Sequence, residues 1–160
     1  MVAVRDKGVL SVVLSGGNTP KLCVDTLTNV DYDKKTIPWK QIHFFFGDER
    51  YVSPETKESN YHMAYEYLFS KVPVNNENVY RIPTEFSDPN DAAKHYEQIL
   101  RKVFNIKNKA VPQFDLVYLG LGENAHTASL MPFSEIVTRY SDKVLSDEEG
   151  QLVASLWVPE

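Results

Sequence analysis

The most constraining feature of the chain is a junction near its start, where the run of residues 9–14 (VLSVVL) stops at Ser15-Gly16-Gly17-Asn18-Thr19-Pro20. A short apolar, β-branched run bounded by glycines reads as a strand buried on both faces, as in parallel sheets covered by helices. Pro20 suits the first turn of a helix, where its missing N–H would have no intrahelical partner. Residues 21–28 then allow a helix through Leu22, Cys23 and Leu27. A polar connection (residues 31–38) leads to a second strand, 41–46 (QIHFFF). Ser59-Asn60 supplies an N-cap for a helix carrying Met63, Ala64, Tyr67 and Leu68. Asp88-Pro89 opens a longer helix to residue 103, with Ala92, Tyr96, Ile99, Leu100 and Val103 on one stripe. A third strand is expected at 114–119 (FDLVYL) and a weaker fourth at 152–158. Strands alternating with helices predict an α/β fold: a mostly parallel, Rossmann-like sheet with helices on both faces. No repeat or Gly/Ser-rich linker divides the chain, and 160 residues suit one core, so residues 1–160 read as a single unit.

Composition narrows the function classes. With 42% hydrophobic and 24% charged residues the chain can bury a core, which excludes wholesale disorder. A net charge of −5 provides no basic footprint for a nucleic acid backbone, so any phosphate bound is expected to be small and local. One cysteine, Cys23, excludes an internal disulfide framework and a Cys-based zinc site, and fits a reducing compartment. No apolar run approaches the roughly 18–20 residues that span a bilayer, and residues 1–14 lack the order of a signal peptide. The expectation is a cytoplasmic protein with no membrane partner. Nothing in the pattern sets an oligomeric state.

Ligands of such sheets bind beyond the carboxyl ends of the strands, and three polar segments follow strands here. In Ser15, Gly16, Gly17, Asn18 and Thr19, adjacent glycines let backbone N–H groups approach an oxyanion at a helix start. The plainer reading is a glycine turn with Thr19 capping the helix. Asp48, Glu49 and Arg50 form a charge cluster in which Arg50 can meet a phosphate or hold a carboxylate, against the alternative of solvated turn charges. His126 follows Gly120-Leu121-Gly122-Glu123-Asn124-Ala125, where it can project as a base, or instead be a satisfied core histidine. His43, His62 and His95 lie within expected strands or helices and read as structural. One well-placed histidine makes no zinc site. A Gly-x-Ser-x-Gly elbow and the third glycine of a dinucleotide loop are both absent, which disfavours serine hydrolase and nicotinamide chemistry.

In the same order, LSGGNTPKL, FFFGDERYVSPETKESNY and FDLVYLGLGENAHTASLMP resemble the motifs of the 6-phosphogluconolactonase family, within a superfamily that includes glucosamine-6-phosphate deaminases. Asp-Glu-Arg at 48–50 and Thr127-Ala128-Ser129-Leu130-Met131-Pro132 after the histidine resemble the lactonases rather than the deaminases. The resemblance implies the phosphosugar isomerase/lactonase fold and hydrolysis of 6-phospho-D-glucono-1,5-lactone to 6-phosphogluconate, in the oxidative pentose phosphate pathway. It implies a small phosphosugar lactone as partner and no metal or organic cofactor. His126 and Asp48 would be catalytic, with Ser15, Gly16, Gly17, Asn18, Thr19, Arg50, Gly122 and Asn124 as substrate and phosphate contacts. The alternatives are a deaminase/isomerase-like enzyme and a noncatalytic phosphosugar-binding fragment. The chain departs from the family pattern at Asn124-Ala125, where Asp-Gly is usual. If position 125 needs a positive φ, alanine there costs on the order of 1 kcal/mol. Family members also usually extend beyond both ends, with a strand and helix before residue 9 and more sheet after 157.

Overall fold

In chain order the elements are β1 (Leu10–Leu14), α1 (Asn18–Asn29), β2 (Ile42–Phe46), β3 (Asp48–Arg50), α2 (Asn60–Ala64), β4 (Val79–Tyr80), α3 (Pro89–Val103), β5 (Leu116–Val117) and β6 (Ser155–Trp157). The computed structural model describes residues 7–29, 37–107 and 110–133 and the backbone of 155–157. Most of the expected connection at 31–38 lies outside them. β1 pairs in parallel with β2 from Leu10↔Ile42 to Leu14↔Phe46, and with β5 at Val12↔Leu116 and Val13↔Val117. β4 joins the other side of β2, giving the parallel order β4-β2-β1-β5. β3 continues from β2 after Gly47 and pairs in parallel with β6 as a second, two-stranded sheet.

The side-chain period of two distributes β2 between two helical layers. Phe44 and Phe46 meet Phe69 and Tyr61, ring centroids 5.1 and 6.0 Å apart. Phe45 points the other way and packs on Tyr80, Phe104 and Phe114 at 4.8, 5.3 and 5.2 Å. α1 and α2 share the first layer, where the Thr28 hydroxyl donates to the Tyr67 carbonyl. α3 covers the second through Ala92, Tyr96 and Leu100, one turn apart. Its ends follow from sequence: Asp88 accepts from the Asn90 N–H, Pro89 occupies the first turn, and Arg101 and Lys102 sit at the negative end of the helix dipole. The Tyr96 hydroxyl accepts from the Phe46 N–H (3.0 Å) and donates to the Phe46 carbonyl (3.1 Å). It thereby pairs the backbone of β2 just past the last residue that β4 reaches. Burial pushes that phenol's pKa well up.

Several boundaries differ from expectation. α1 starts at Asn18, so Asn18 and Thr19 belong to its first turn, and Thr19 is not its cap. The helix buries Val24 and Thr28, whereas Leu22 is 66% exposed and Cys23 also faces solvent. Ser59 caps α2 as expected, accepting from the His62 N–H, but the helix gives way after Ala64 to a π turn, Tyr65–Phe69. That wider turn swings Leu68 and Phe69 into the core. The third strand contracts to two residues, since β5 pairs only with β1 among the described residues. β4 was too short to register in the hydrophobic pattern.

Asp115 fixes β5 to β1. Its carboxylate accepts from the Ser11 N–H (2.9 Å) and hydroxyl (2.7 Å) and pairs with Lys7 (2.6 Å). Lys7, together with the Ser11 donors, holds its pKa down at about 2. A carboxylate depressed in the folded state stabilises above its unfolded pKa, and that contribution is lost as pH falls through the folded value. Asp115→Asn should therefore lower the urea midpoint at pH 7, and the gap to the unmodified chain should shrink as pH is lowered from about 4 toward 2.

Candidate active site

The carboxyl ends of β1, β2 and β5 lie level. Leu14 and Val13 accept from the N–H groups of Gly47 and Tyr118, at 3.0 Å each, so all three loops leave the sheet side by side. The Ser15 hydroxyl donates to the Tyr118 carbonyl at 2.6 Å, tying the glycine loop to the end of β5. Gly17 has φ +104°, a conformation that strongly favours glycine, and its carbonyl accepts from the Lys21 N–H in the first turn of α1. The N–H groups at the start of a helix have no intrahelical acceptor, and the dipole there attracts anions.

Asp48 and Glu49 are not solvated turn charges: they are 6% and 1% exposed. The Glu49 carboxylate accepts from the backbone N–H groups of Arg50 (2.7 Å), Asn60 (2.6 Å) and Tyr61 (2.9 Å) and from the Ser59 hydroxyl (3.2 Å). It caps α2 from outside the helix. Burial pushes its pKa up against those donors. Asp48 takes the Asn60 amide on Oδ1 (3.2 Å) and the Ser129 hydroxyl on Oδ2 (2.9 Å). Burial raises its pKa as well, opposed by Ser129 and by the charges of Arg50 and His126. The strand-to-loop ends at 48–50 and 126–129 thus meet around one carboxylate.

His126 rests on a closed turn. The Gly122 N–H donates to the His126 carbonyl (2.8 Å), the Ala125 N–H to the Gly122 carbonyl (2.9 Å), and the Thr127 hydroxyl to the Gly120 carbonyl (3.0 Å). A Cβ on Gly122 would stand 2.1 Å from the imidazole Cε1, so only glycine leaves room for the ring. Nδ1 of His126 contacts Oδ1 of Asn124. An amide oxygen only accepts, so Nδ1 is the nitrogen that carries the proton when the ring is neutral, which leaves the lone pair of that form on Nε2.

Of the residues singled out in the sequence, Ser15 is tied to the end of β5, Gly16 meets Asp48 through Asn60, and Gly122 and Asn124 flank the His126 ring, while His126 and Arg50 act electrostatically on Asp48. Gly17, Asn18 and Thr19 form the adjacent helix start. Sequence reasoning placed Glu49 in the charge cluster and Asn60 at an N-cap without pairing the two, and it did not foresee the contact of Ser129 with Asp48. The signal for the first pairing was present, because an N-cap at Ser59-Asn60 needs acceptors and Glu49 supplies one. Among the described residues no group of three or more His, Cys, Asp or Glu side chains is placed to hold a metal ion, and no helix is long and apolar enough to cross a membrane.

Residues 1–151 match the family model described as glucosamine-6-phosphate isomerases/6-phosphogluconolactonase. The chain belongs to this family. Two relatives named 6-phosphogluconolactonase, from Synechocystis and Nostoc, are 36% and 40% identical over 98% and 83% of this chain. The matched segments make up 64% and 53% of those proteins, so the chain spans between half and two thirds of their length. A crystal structure of 6-phosphogluconolactonase from Thermotoga maritima superposes with a TM-score of 0.68 and 33% identity, over 81% of this chain and 53% of that one.

Ala125 sits at φ +64°, the left-handed conformation that costs a methyl-bearing residue about 1 kcal/mol. Ala125→Gly should therefore raise stability by about that amount, less the greater entropy of an unfolded glycine, as an upward shift of the denaturant midpoint. A lower midpoint would show that the turn relaxes without cost.

Proposed function

We propose that residues 1–160 form one α/β unit of a cytoplasmic phosphosugar lactonase that hydrolyses 6-phospho-D-glucono-1,5-lactone to 6-phosphogluconate. The observation that carries this reading is His126 with Nδ1 against Asn124, within the electrostatic reach of the buried Asp48 at the end of a parallel sheet; in the neutral ring Nε2 would serve as the base. Names of the relatives and the Arg at position 50 support a lactone over an amino sugar as substrate.

In this mechanism His126 Nε2 removes a proton from water as the water oxygen bonds the lactone carbonyl carbon. The tetrahedral oxyanion is stabilised by N–H donors of the surrounding loops. As the bond from that carbon to the ring oxygen breaks, the imidazolium returns a proton to the departing oxygen, giving the open-chain acid. Asn124 is neutral, so it orients the ring but supplies no counter-charge. Asp48 supplies that charge. The start of α1 after Gly16 and Gly17, with Asn18 and Thr19 in its first turn, and Arg50 hold the phosphate.

Freshly generated 6-phosphogluconolactone should open faster with protein than without it, followed through a coupled dehydrogenase after subtraction of spontaneous hydrolysis. Ammonia released from glucosamine 6-phosphate without lactonase activity would transfer the assignment to the deaminases. The left-handed Ala125 favours one further reading, a phosphosugar binder with a misplaced base, which predicts binding of 6-phosphogluconate without turnover.

His126→Ala should cut enzyme-dependent hydrolysis by about 10² to 10⁴ while leaving 6-phosphogluconate affinity nearly unchanged. Arg50→Ala should instead weaken that affinity, by roughly 1.5–3 kcal/mol if the guanidinium contacts phosphate directly, measurable by calorimetry. Equal effects of the two substitutions on binding would remove the division of labour.

A further inference from the structure

Asn60 belongs to none of the three polar segments as a charged or nucleophilic group, yet it touches two of them. The residue is only 5% exposed. Its backbone N–H is held by Glu49 Oε1 at 2.6 Å, which fixes where the side chain starts. From there Nδ2 reaches both the Asp48 carbonyl (3.1 Å) and Asp48 Oδ1 (3.2 Å). The other end of the same amide lies against the glycine loop. A Cβ built on Gly16 would stand 1.8 Å from Asn60 Oδ1 and 2.3 Å from its Cγ. Gly16 has no positive φ among those of the described residues, so its lack of a side chain is explained by this contact rather than by backbone conformation.

We propose that Asn60 is a positioning residue that couples the glycine loop to Asp48, one planar amide setting both the path of Gly16 and the orientation of the Asp48 carboxylate. The inference rests on the lactonase reading for its consequence in turnover, but its geometry stands apart from it. An amide is suited to both tasks. It is flat enough to pack against backbone, and its NH₂ donates to an ionised carboxylate without adding charge. Among the described residues, the groups acting on Asp48 include Asn60 on one oxygen, Ser129 on the other, and the charges of Arg50 and of protonated His126. An anion that draws the glycine loop toward it would press on the amide that orients the carboxylate, so phosphate binding and the position of Asp48 are linked through a single side chain.

Two measurements test this without relying on turnover. The first is a double-mutant cycle on unfolding with Gly16→Ala, Asn60→Ala and the pair. The Gly16→Ala loss should be large alone and mostly disappear in the Asn60→Ala background, because the colliding amide is gone. Additive losses would overturn the contact. The second is titration of the Asp48 carboxyl carbon by NMR. Removing a donor to the ionised form should move its pKa upward in Asn60→Ala. If Asn60→Ala does not fold, the near-isosteric Asn60→Asp carries the titration, with a larger upward shift because it replaces a donor by a like charge. An unmoved Asp48 titration would overturn the proposal. In turnover, Asn60→Asp should lower kcat/KM roughly tenfold to a hundredfold and displace the pH profile, which a residue that only maintained the fold would not do. An unmodified chain with no lactonase activity would refute the lactonase reading alone, since the cycle and the titration would still decide the role of Asn60.

Discussion

The parallel pairing of β1 with a strand on each side is the constraint on which the rest depends. In a parallel sheet every strand delivers its carboxyl end to the same edge, so segments far apart in sequence meet without any contact designed to bring them together. The register does the alignment: Leu14 stands opposite Phe46 and Val13 opposite Val117, which puts Ser15 beside Tyr118. A slip of one residue in β1 would exchange its two faces and separate the glycine loop from the end of β5. The ion pair and hydrogen bonds at Asp115 hold that register at the opposite end of the short β5.

Two adjacent carboxylates show how differently the same chemistry can be used. Glu49 is surrounded by four donors, three of them backbone N–H groups, and serves to start a helix. Asp48 is nearly as buried, and among the described residues the side chains of Asn60 and Ser129 donate to it, from the segments that border the candidate site. A buried carboxylate with few fixed donors is open to influence by neighbouring charge, which under the proposed mechanism would suit it to a histidine that becomes cationic during turnover.

Much of the fold was legible. The apolar runs at 9–14 and 41–46 and the stripe on α3 are continuous enough that burial alone dictates them, and Asp88-Pro89 and Ser59 announce their helices by capping chemistry. The remaining differences have local causes. β4 has two residues and is defined by its partner in β2, which no periodicity reveals. The π turn at Tyr65–Phe69 keeps the apolar residues expected of an α-helix and changes only their angular spacing. At the site, His126, Asp48 and the glycine loop stood out because each follows a strand, on the edge where ligands of such sheets bind, and because the three segments together carry the family resemblance. Asn60 did not: an asparagine near a helix start reads as a cap, and only the three-dimensional approach of Gly16 gives it a second role.

The exposure of Cys23 on α1 has a practical side. It is the one thiol in the sequence, it faces solvent, and it lies six residues after Gly17, about 9 Å along the axis of the helix whose first turn borders the glycine loop. A fluorophore or spin label attached there would be singly placed without prior mutagenesis. It would report on that helix from its solvent-facing side.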